Sequence, residues 1–254
     1  MPVRTEHWPA GTPCWVDLVV TDPERSHRFY GGALGWTFTE PAPEFGGYHS
    51  ALAGGVRVAG LSLPQPGWTD APRWGVYLAT DDVDATSAAV TAAGGSAVGG
   101  TARVGDLGRM AHCQDPTGAA FSAWEAGTHP GFELVDEPGA PLWMDLMTTD
   151  LDAAQRFYAD VFGLSYTDAS SDAMRYSMFN TPGGTRPAGG IGQLDASPST
   201  WTVCFQVADV DELVPRIPDL GGRVVDEPFD FTWGRLAGVL GPDGERLYLL
   251  TPGG

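Results

Sequence analysis

The fold is decided by a stretch of sequence that occurs twice: PCWVDL at residues 13–18 and PLWMDL at residues 141–146. The two copies lie 128 residues apart. At the same offset, RFY at residues 28–30 returns as RFY at residues 156–158. Ordered matches at one spacing are the signature of an internal repeat. The sequence therefore predicts two copies of one module.

The repeat continues along the chain, with small shifts that accumulate between the matching segments. Later pairs, in order, are Tyr48 with Tyr176, Trp74 with Trp201, DVD at 82–84 with DVD at 209–211, and DPTG at 115–118 with GPDG at 241–244. We expect a first module over residues 10–127, a linker over residues 128–138 and a second module over residues 139–252.

Within a module, the pattern predicts short strands around two helices. Residues 15–20 are rich in apolar side chains, which is typical of a strand. Asp22 followed by Pro23 is typical of a helix start, because Asp caps free amide groups and Pro fits the first turn. A second helix is expected between Asp82 and Gly94. This order predicts a β-α-β-β-β run that is followed by a β-α-β-β-like run.

The charge of the chain limits its partners and its chemistry. The 254 residues include 32 acidic and 14 basic side chains, for a net charge of −18, and every basic residue is Arg. Without Lys, the chain has no side-chain amine for a Schiff base. An acidic protein lacks the basic surface that nucleic acids and anionic membranes require. We expect neither partner, and the charge favours a cationic ligand.

The cysteine pattern and the absence of apolar runs bear on the compartment. Cys14, Cys113 and Cys204 are too few and too far apart for a disulfide framework or a CxxC metal site. The N-terminal residues lack the apolar core of a signal peptide, and no segment approaches about 18 consecutive apolar residues. These features predict a reduced, cytoplasmic protein.

The ordered motifs also resemble a known family. A strand, an Asp cap, a helix that contains Phe-Tyr, and later Asp-Val-Asp, Gly-Gly and Asp-Pro-x-Gly are similar to the vicinal oxygen chelate superfamily of glyoxalase, bleomycin-resistance and extradiol dioxygenase proteins. The resemblance covers both modules. It implies an α+β fold of two tandem β-α-β-β-β-type modules, with mixed sheets that curl around cavities. In that family the cavity holds a metal and a small substrate.

The positions at which the family carries metal ligands hold other residues here. In order along each module, they are Trp15, Gly75 and Ser122 in the first and Trp143, Thr202 and Tyr248 in the second. A shifted metal site stays open, with His49, His112, Asp17, Asp145 and Glu125 as available donors. A catalytic metal needs about three protein donors at one point, and the spacing of these residues in the sequence does not predict that they converge. We therefore expect no metal and no other cofactor.

Two acidic residues stand out within the repeated strand. Strand alternation places Trp15 and Asp17 on one face, and Trp143 and Asp145 on the equivalent face. An unpartnered carboxylate in an apolar strand is costly. Burial raises its pKa, which suits a general acid or base, so Asp17 and Asp145 are candidate catalytic residues. The alternative is structural pairing of each carboxylate with an arginine, for which Arg109 and Arg235 are the candidates.

Further candidates come from the same strands. His49 has no histidine counterpart in the second module and is the third catalytic candidate. The alternative for His49 is a solvent-facing position. Aromatic walls with a few polar groups are typical of a small-molecule pocket. The predicted ligand-binding residues are Trp15, Trp143, Tyr77, Trp124, Ser122, Gln206, Tyr248, His112, Arg109 and Arg235; for the tryptophans, core packing is the alternative.

These features favour a protein that binds a small aromatic or polycyclic, antibiotic-like molecule without a catalytic metal, as the resemblance to the bleomycin-resistance branch implies. The alternative is a metal-independent acid/base enzyme of secondary metabolism, an isomerase, cyclase, lyase or hydroxylase-like protein that uses Asp17 or Asp145. A metalloenzyme with a shifted site is the third hypothesis. A structural protein whose own aromatic residues fill the cavities also stays open. Two modules in one chain fit either a monomer or a homodimer.

Overall fold

The structure is a computed structural model that describes residues 3–64, 72–195 and 198–253. Within these residues each repeat forms one open, mixed sheet of eight strands with helices on one face. The expected α+β fold of two tandem modules is confirmed.

The first sheet has the strand order β2-β3-β4-β1-β5-β8-β7-β6. Its strands are β1 (Pro13–Val19), β2 (Thr37–Phe38), β3 (His49–Ala53), β4 (Val56–Ser62), β5 (Trp74–Thr80), β6 (Ser96–Val104), β7 (Gly108–Gln114) and β8 (Ala120–Ala126). Strand β1 pairs in parallel with β4 and antiparallel with β5, so two β-α-β-β-β units meet in the middle of the sheet.

The second sheet repeats this topology in the order β10-β11-β12-β9-β13-β16-β15-β14. Its strands are β9 (Pro141–Thr148), β10 (Ser165–Asp168), β11 (Tyr176–Asn180), β12 (Gly189–Gln193), β13 (Thr200–Gln206), β14 (Arg223–Phe231), β15 (Gly234–Leu240) and β16 (Arg246–Pro252).

In the described ranges, each of the four α-helices begins after an Asp whose side chain accepts a backbone N–H of the first turn. The helices are α1 (Pro23–Leu34), α2 (Val83–Ala92), α3 (Leu151–Phe162) and α4 (Val210–Leu213), with 3₁₀ turns at Pro43–Phe45 and Val214–Arg216. The predicted helix starts at Asp22 and Asp82 are confirmed. No helix among the described residues is both long and apolar enough to cross a membrane.

The core lies between the two sheets, where their helix-covered faces meet. Trp74 of β5 and Phe205 of β13 pack with ring centroids 5.2 Å apart. The Tyr30 hydroxyl donates to Glu245 of the other module at 2.5 Å, and the Tyr158 hydroxyl donates to Asp115 at 3.1 Å. Tyr30 and Tyr158 are equivalent in the repeat, and each acceptor lies in the turn before the last strand of the other module. The opposite face of each sheet points away from this core.

Candidate ligand-binding site

The face of each sheet that points away from the helices is called the inner face. On β1, Leu18 is completely buried in the core, whereas Trp15 and Asp17 lie on the inner face. Strand β9 repeats this arrangement, with Trp143 and Asp145 on the inner face of the second module. The inner faces therefore carry the side chains that the sequence singled out.

In the first module, Asp17 is held by a tyrosine from the neighbouring strand. The Tyr77 hydroxyl on β5 donates to Asp17 Oδ2 at 2.6 Å. The indole Nε1 of Trp15 donates to the Tyr48 hydroxyl at 2.8 Å. Gly60 lies opposite Asp17 on β4, and a Cβ at Gly60 would collide with the Tyr48 hydroxyl. The absence of a side chain at Gly60 thus makes room for Tyr48.

Neutral donors leave the charge of Asp17 uncompensated. Burial raises the pKa of Asp17 to about 6, and the hydrogen bond from Tyr77 opposes this shift. Burial and the nearby Asp17 carboxyl also raise the pKa values of Tyr48 and Tyr77, which therefore stay protonated. Asp17 can gain or lose a proton near pH 6.

In the second module, one carboxylate oxygen accepts two hydrogen bonds. The Tyr176 hydroxyl donates to Asp145 Oδ1 at 2.6 Å, and the Trp143 Nε1 donates to the same oxygen at 2.9 Å. Trp143 Nε1 also lies 3.1 Å from the Tyr176 hydroxyl. Burial raises the pKa of Asp145, against the effect of both bonds. Gly190 lies opposite Asp145, and a Cβ there would collide with Tyr176 and Asp145.

The two clusters recruit their tyrosines from different strands. Trp15 pairs with Tyr77 across β1 and β5, whereas Trp143 pairs with Cys204 across β9 and β13. The second module therefore has a thiol at the position of Tyr77, and Asp145 takes its phenol from β11. Burial, and next the Asp145 charge, raise the pKa of the Cys204 thiol, which keeps it protonated and poorly nucleophilic.

The inner face of the first module is covered by the segment that follows β8. The His129 ring lies 4.5 Å from the Trp15 ring, and its carbonyl accepts from Trp124 Nε1 at 3.1 Å. Phe132 packs on Trp15 at 5.8 Å. Burial lowers the pKa of His129 to about 4, so its ring is neutral at physiological pH. Trp15 and Trp124 are consequently only 5% and 6% exposed.

The second inner face is more open. Trp143, Tyr176 and Tyr248 are all partly exposed. A surface pocket of about 280 Å³ in the second module is lined by Ser171, Asp172, Ala173, Met174, Arg175, Gln193 and Asp195. A second pocket, of about 120 Å³, lies beside Trp8 and Trp124 of the first module. Neither pocket includes Asp17 or Asp145.

The structure places ten of the predicted site residues on the inner faces. They are Trp15, Asp17, Tyr77, His112, Ser122 and Trp124 in the first module and Trp143, Asp145, Gln206 and Tyr248 in the second. His112 Nδ1 lies 3.0 Å from the Ser122 hydroxyl, and burial lowers the pKa of His112. Their roles in catalysis or binding stay predictions.

His49 does not join Asp17. Its ring lies 5.0 Å from that of His27 on α1, and its Nδ1 lies 3.1 Å from the Thr39 carbonyl oxygen. The expectation of a pocket histidine is wrong because strand alternation sends the neighbouring Tyr48 to the inner face and His49 to the helix side.

The two arginines that were predicted to bind ligand or carboxylate also lie on the helix side. Arg109 pairs with Asp84 of α2 at 2.7 Å and with Glu125 at 3.4 Å. Arg235 pairs with Asp211 at 2.5 Å and with Asp230 at 2.9 Å. The alternative in which these arginines neutralise Asp17 and Asp145 is therefore wrong, because tyrosine and tryptophan donors take that place.

The residues present do not fit a metal ion. No group of three His, Cys, Asp or Glu side chains that could hold a metal occurs in the described part of the chain. The inner-face positions beside Asp17 hold Trp15, Gly75 and Tyr77, which supply no imidazole, thiolate or carboxylate. Around the two aspartates, the inner faces present mainly phenol and indole groups.

Sequence reasoning missed several residues of these clusters. Tyr48 and Tyr176 were recognised as a repeat match but were not assigned to the site, although an aromatic hydroxyl kept at the same place in both copies is a usable signal. His129 gave no signal, because it lies in the predicted linker and reaches Trp15 only through the fold.

The fold and the inner faces define a duplicated α+β protein with two open sheets, each of which carries a Trp, Asp and Tyr cluster. The chain belongs to the Glyoxalase/Bleomycin resistance protein/Dioxygenase superfamily, whose sequence profile matches residues 13–122 and 140–249.

Curated relatives match nearly the whole chain. "Putative glyoxylase CFP32" of Mycobacterium tuberculosis is 36% identical over 260 residues, which covers 99% of this chain and 98% of the relative. "Anthracycline biosynthesis protein DauV" of Streptomyces sp. (strain C5) is 36% identical over 255 residues, with 92% and 90% covered. "Anthracycline biosynthesis protein DnrV" of Streptomyces peucetius is 35% identical over 254 residues, also with 92% and 90% covered.

Solved structures share the fold at low sequence identity. The 2,3-dioxygenase LapB from Pseudomonas sp. KL28 aligns with a TM-score of 0.67 at 15% identity, over 99% of this chain and 94% of that chain. The Mn(II)-bound glyoxalase from Novosphingobium aromaticivorans aligns with a TM-score of 0.68 at 19% identity, over 96% and 82%.

Proposed function

We propose that the inner face of the second module binds a small, planar, polycyclic aromatic molecule without a metal ion. The observation that carries this proposal is the network of Trp143, Asp145 and Tyr176. In it, the Asp145 carboxylate accepts hydrogen bonds from the partly exposed Trp143 indole and from the Tyr176 hydroxyl. An aromatic face beside a few oriented polar groups is typical of small-molecule sites.

The chemistry of the cluster supports this class of ligand. Trp143 offers an aromatic surface on which a planar ring system can stack. Asp145 offers an anchor for an amine or hydroxyl group of the ligand. The net charge of −18 attracts cationic molecules. Two relatives named for anthracycline biosynthesis support a polycyclic aromatic ligand.

The more open second face favours this module over the first. In the first module, Trp15 lies beneath His129 and Phe132, and Tyr77 occupies the position of the smaller Cys204. The equivalent area of the second module holds partly exposed side chains.

A second candidate is a metal-independent acid/base enzyme. The raised pKa of Asp145, with a phenol hydroxyl 2.6 Å away, favours it, because such a carboxyl can hold or release a proton during turnover. The two functions share the same residues and differ in whether the bound molecule is converted.

Isothermal titration of EDTA-treated protein with an aminomethyl-anthraquinone tests the proposal. We expect Trp143→Leu and Asp145→Asn each to weaken binding about tenfold, while Asp17→Asn, the matched change in the first module, leaves the affinity unchanged. Equal binding by all four proteins, or no binding by the wild type, would contradict it.

Mass analysis of the recovered probe separates the two candidates. A binding protein returns the probe unchanged. An acid/base enzyme returns a product, and Asp145→Asn then loses turnover while it still binds the probe measurably.

A further inference from the structure

One arginine on the second inner face has no counterpart in the first module. Arg246 on β16 lies two residues before Tyr248, and the register places Tyr248 where the first module has Ser122. The first module accordingly has Ala120 at the position of Arg246. Unlike Arg109 and Arg235, Arg246 shares its face with the Trp143 cluster.

Contacts with neighbouring side chains hold Arg246 in place. Its Nε donates to the Tyr248 hydroxyl at 3.2 Å, and its guanidinium lies 5.2 Å from the Tyr248 ring centroid. Its Nη2 pairs with Asp226. Among the described residues, Nη1 has no hydrogen-bond partner, and the side chain is 42% exposed. Arg246 is therefore held in a fixed orientation, and the N–H groups of its Nη1 remain available to donate hydrogen bonds to a ligand.

Arg246 and the Trp143 cluster lie on opposite sides of β13, whose inner-face residues Thr202 and Cys204 are small. Across neighbouring strands, Tyr248 pairs with Cys204, and Cys204 pairs with Trp143. Tyr248 also pairs with Gly238, and the side chain of Asp226, which holds Arg246, lies over Gly238. At about 4.8 Å per strand, Trp143 and Tyr248 are about 10 Å apart along the sheet. This span is comparable to the long axis of a tricyclic aromatic system.

The charges at the two ends differ. Asp145 has only neutral donors and keeps an uncompensated negative charge when ionised. The charge of Arg246 is balanced by Asp226, so its free Nη1 suits a neutral oxygen acceptor better than a strong anion.

We propose that Arg246 sets the specificity of the second module by donating a hydrogen bond from Nη1 to a ring oxygen, a carbonyl or enol, of a planar aromatic ligand. This inference rests on the proposed function. A cationic or hydroxyl substituent of the same ligand lies at Asp145, and the ring system spans β13 over Thr202 and Cys204. Aromatic hydrocarbons of the same shape without a ring oxygen bind less tightly.

Competitive titration with two matched probes tests the inference: an aminomethyl-anthraquinone, which has ring carbonyls, and the corresponding aminomethyl-anthracene, which has none. We expect the wild type to bind the anthraquinone about tenfold more tightly. Arg246→Gln and Arg246→Met should both abolish this preference. Arg235→Gln, which changes an arginine on the opposite face of the same sheet, should retain it. Two Arg246 variants are used so that the test can still be made if one of them does not fold. Circular dichroism checks the fold of each variant.

The outcomes separate this inference from the function on which it rests. If both probes bind equally and Trp143→Leu weakens both, the binding function stands and the role of Arg246 is overturned. A preference that persists in both Arg246 variants overturns it as well. If neither probe binds the wild type, the proposed function and the inference fail together.

Discussion

At the scale of single residues, the inner faces show what happens when a strand carboxylate is partnered by neutral donors. A guanidinium beside Asp17 would have lowered its pKa. The Tyr77 hydroxyl donates a hydrogen bond to the Asp17 carboxylate but does not neutralise its charge. The effect of burial is therefore larger than that of the hydrogen bond, and the pKa of Asp17 rises to about 6. The same reasoning holds for Asp145. Each module thus holds a carboxyl that gains a proton more readily than an exposed one.

This shift makes the stability of the protein depend on pH. The pKa of Asp17 is about 6 in the folded protein and 3.8 in its ordinary state, so the folded chain binds the proton more tightly. The free energy of unfolding therefore falls as the pH rises from about 4 to about 6, by about 3 kcal/mol in total. Asp17→Asn should remove this loss and stabilise the protein above pH 6, as measured by urea denaturation across that range.

Asp84→Asn is the matched control for this experiment. Hydrogen bonds from Arg109 and Thr101 lower the pKa of Asp84, so its contribution to stability is lost as the pH falls. The two variants should therefore change the pH profile in opposite directions. Parallel profiles for Asp17→Asn and the wild type between pH 4 and 6 would show that the pKa of Asp17 is not raised.

The choice of tyrosine partner yields a second prediction. Tyr77→Phe removes the bond that opposes the burial effect, so the pKa of Asp17 should rise further. Tyr48→Phe is the control, because the Tyr48 hydroxyl accepts from Trp15 and does not bond to Asp17. Carbon-detected NMR titration of the carboxyl measures both. An unchanged or lower pKa in Tyr77→Phe would contradict the assigned hydrogen bond.

Strand alternation was sufficient to place Trp15 and Asp17 on one face from the sequence. Their partners could not be predicted in the same way, because Tyr77 and Tyr48 reach them from strands that are distant in the chain. The repeat would predict the wrong partner here, because Asp17 accepts from Tyr77 on β5 whereas the equivalent Asp145 accepts from Tyr176 on β11.

At the scale of elements, a glycine on one strand makes room for a side chain from another. Gly190 on β12 lies beneath Tyr176, and Gly60 on β4 lies beneath Tyr48. Gly190→Ala should displace Tyr176 from Asp145 and weaken aminomethyl-anthraquinone binding about tenfold. Gly60→Ala makes the same change in the first module and should leave this binding unchanged. Equal losses in both variants would contradict the assignment of the ligand to the second module.

The elements that have local signals were predictable, whereas strands β2 and β6 of the first module were missed. Asp22 and Asp82 mark helix starts because an Asp cap acts within a few residues. Strand β6 was not expected, since it is mostly exposed, lies at the sheet edge and carries Gly99 and Gly100. Its pairing with β7 completes the second β-α-β-β-β unit of the module, which the sequence predicted only in part.

At the scale of the whole molecule, the two modules are joined by buried hydrogen bonds between repeats. Tyr30→Phe removes the donor to the buried Glu245 carboxyl and should cost about 1–3 kcal/mol of unfolding free energy. Tyr166→Phe is the matched control, because the buried Tyr166 hydroxyl has no partner among the described residues. We expect this second change to be neutral or stabilising in thermal and urea unfolding. A cost for Tyr166→Phe equal to that for Tyr30→Phe would contradict the role of the inter-module bond.

The order of the modules was readable from the repeat, but their packing was not. A helix that contains Phe-Tyr was predicted in each module, and the structure shows that the Tyr30 and Tyr158 hydroxyl groups bond to the opposite module. No pattern within one repeat predicts a contact that only the assembled pair of modules creates.

The central claim is that one module of the pair binds one planar aromatic molecule and needs no metal to do so. Native mass spectrometry of EDTA-treated protein with the aminomethyl-anthraquinone tests it most directly, with Tyr176→Phe and Tyr48→Phe as the matched pair of variants. We predict one probe per wild-type chain, reduced occupancy in Tyr176→Phe and full occupancy in Tyr48→Phe. Two probes per chain, binding that requires added metal, or loss of binding in Tyr48→Phe alone would contradict the claim.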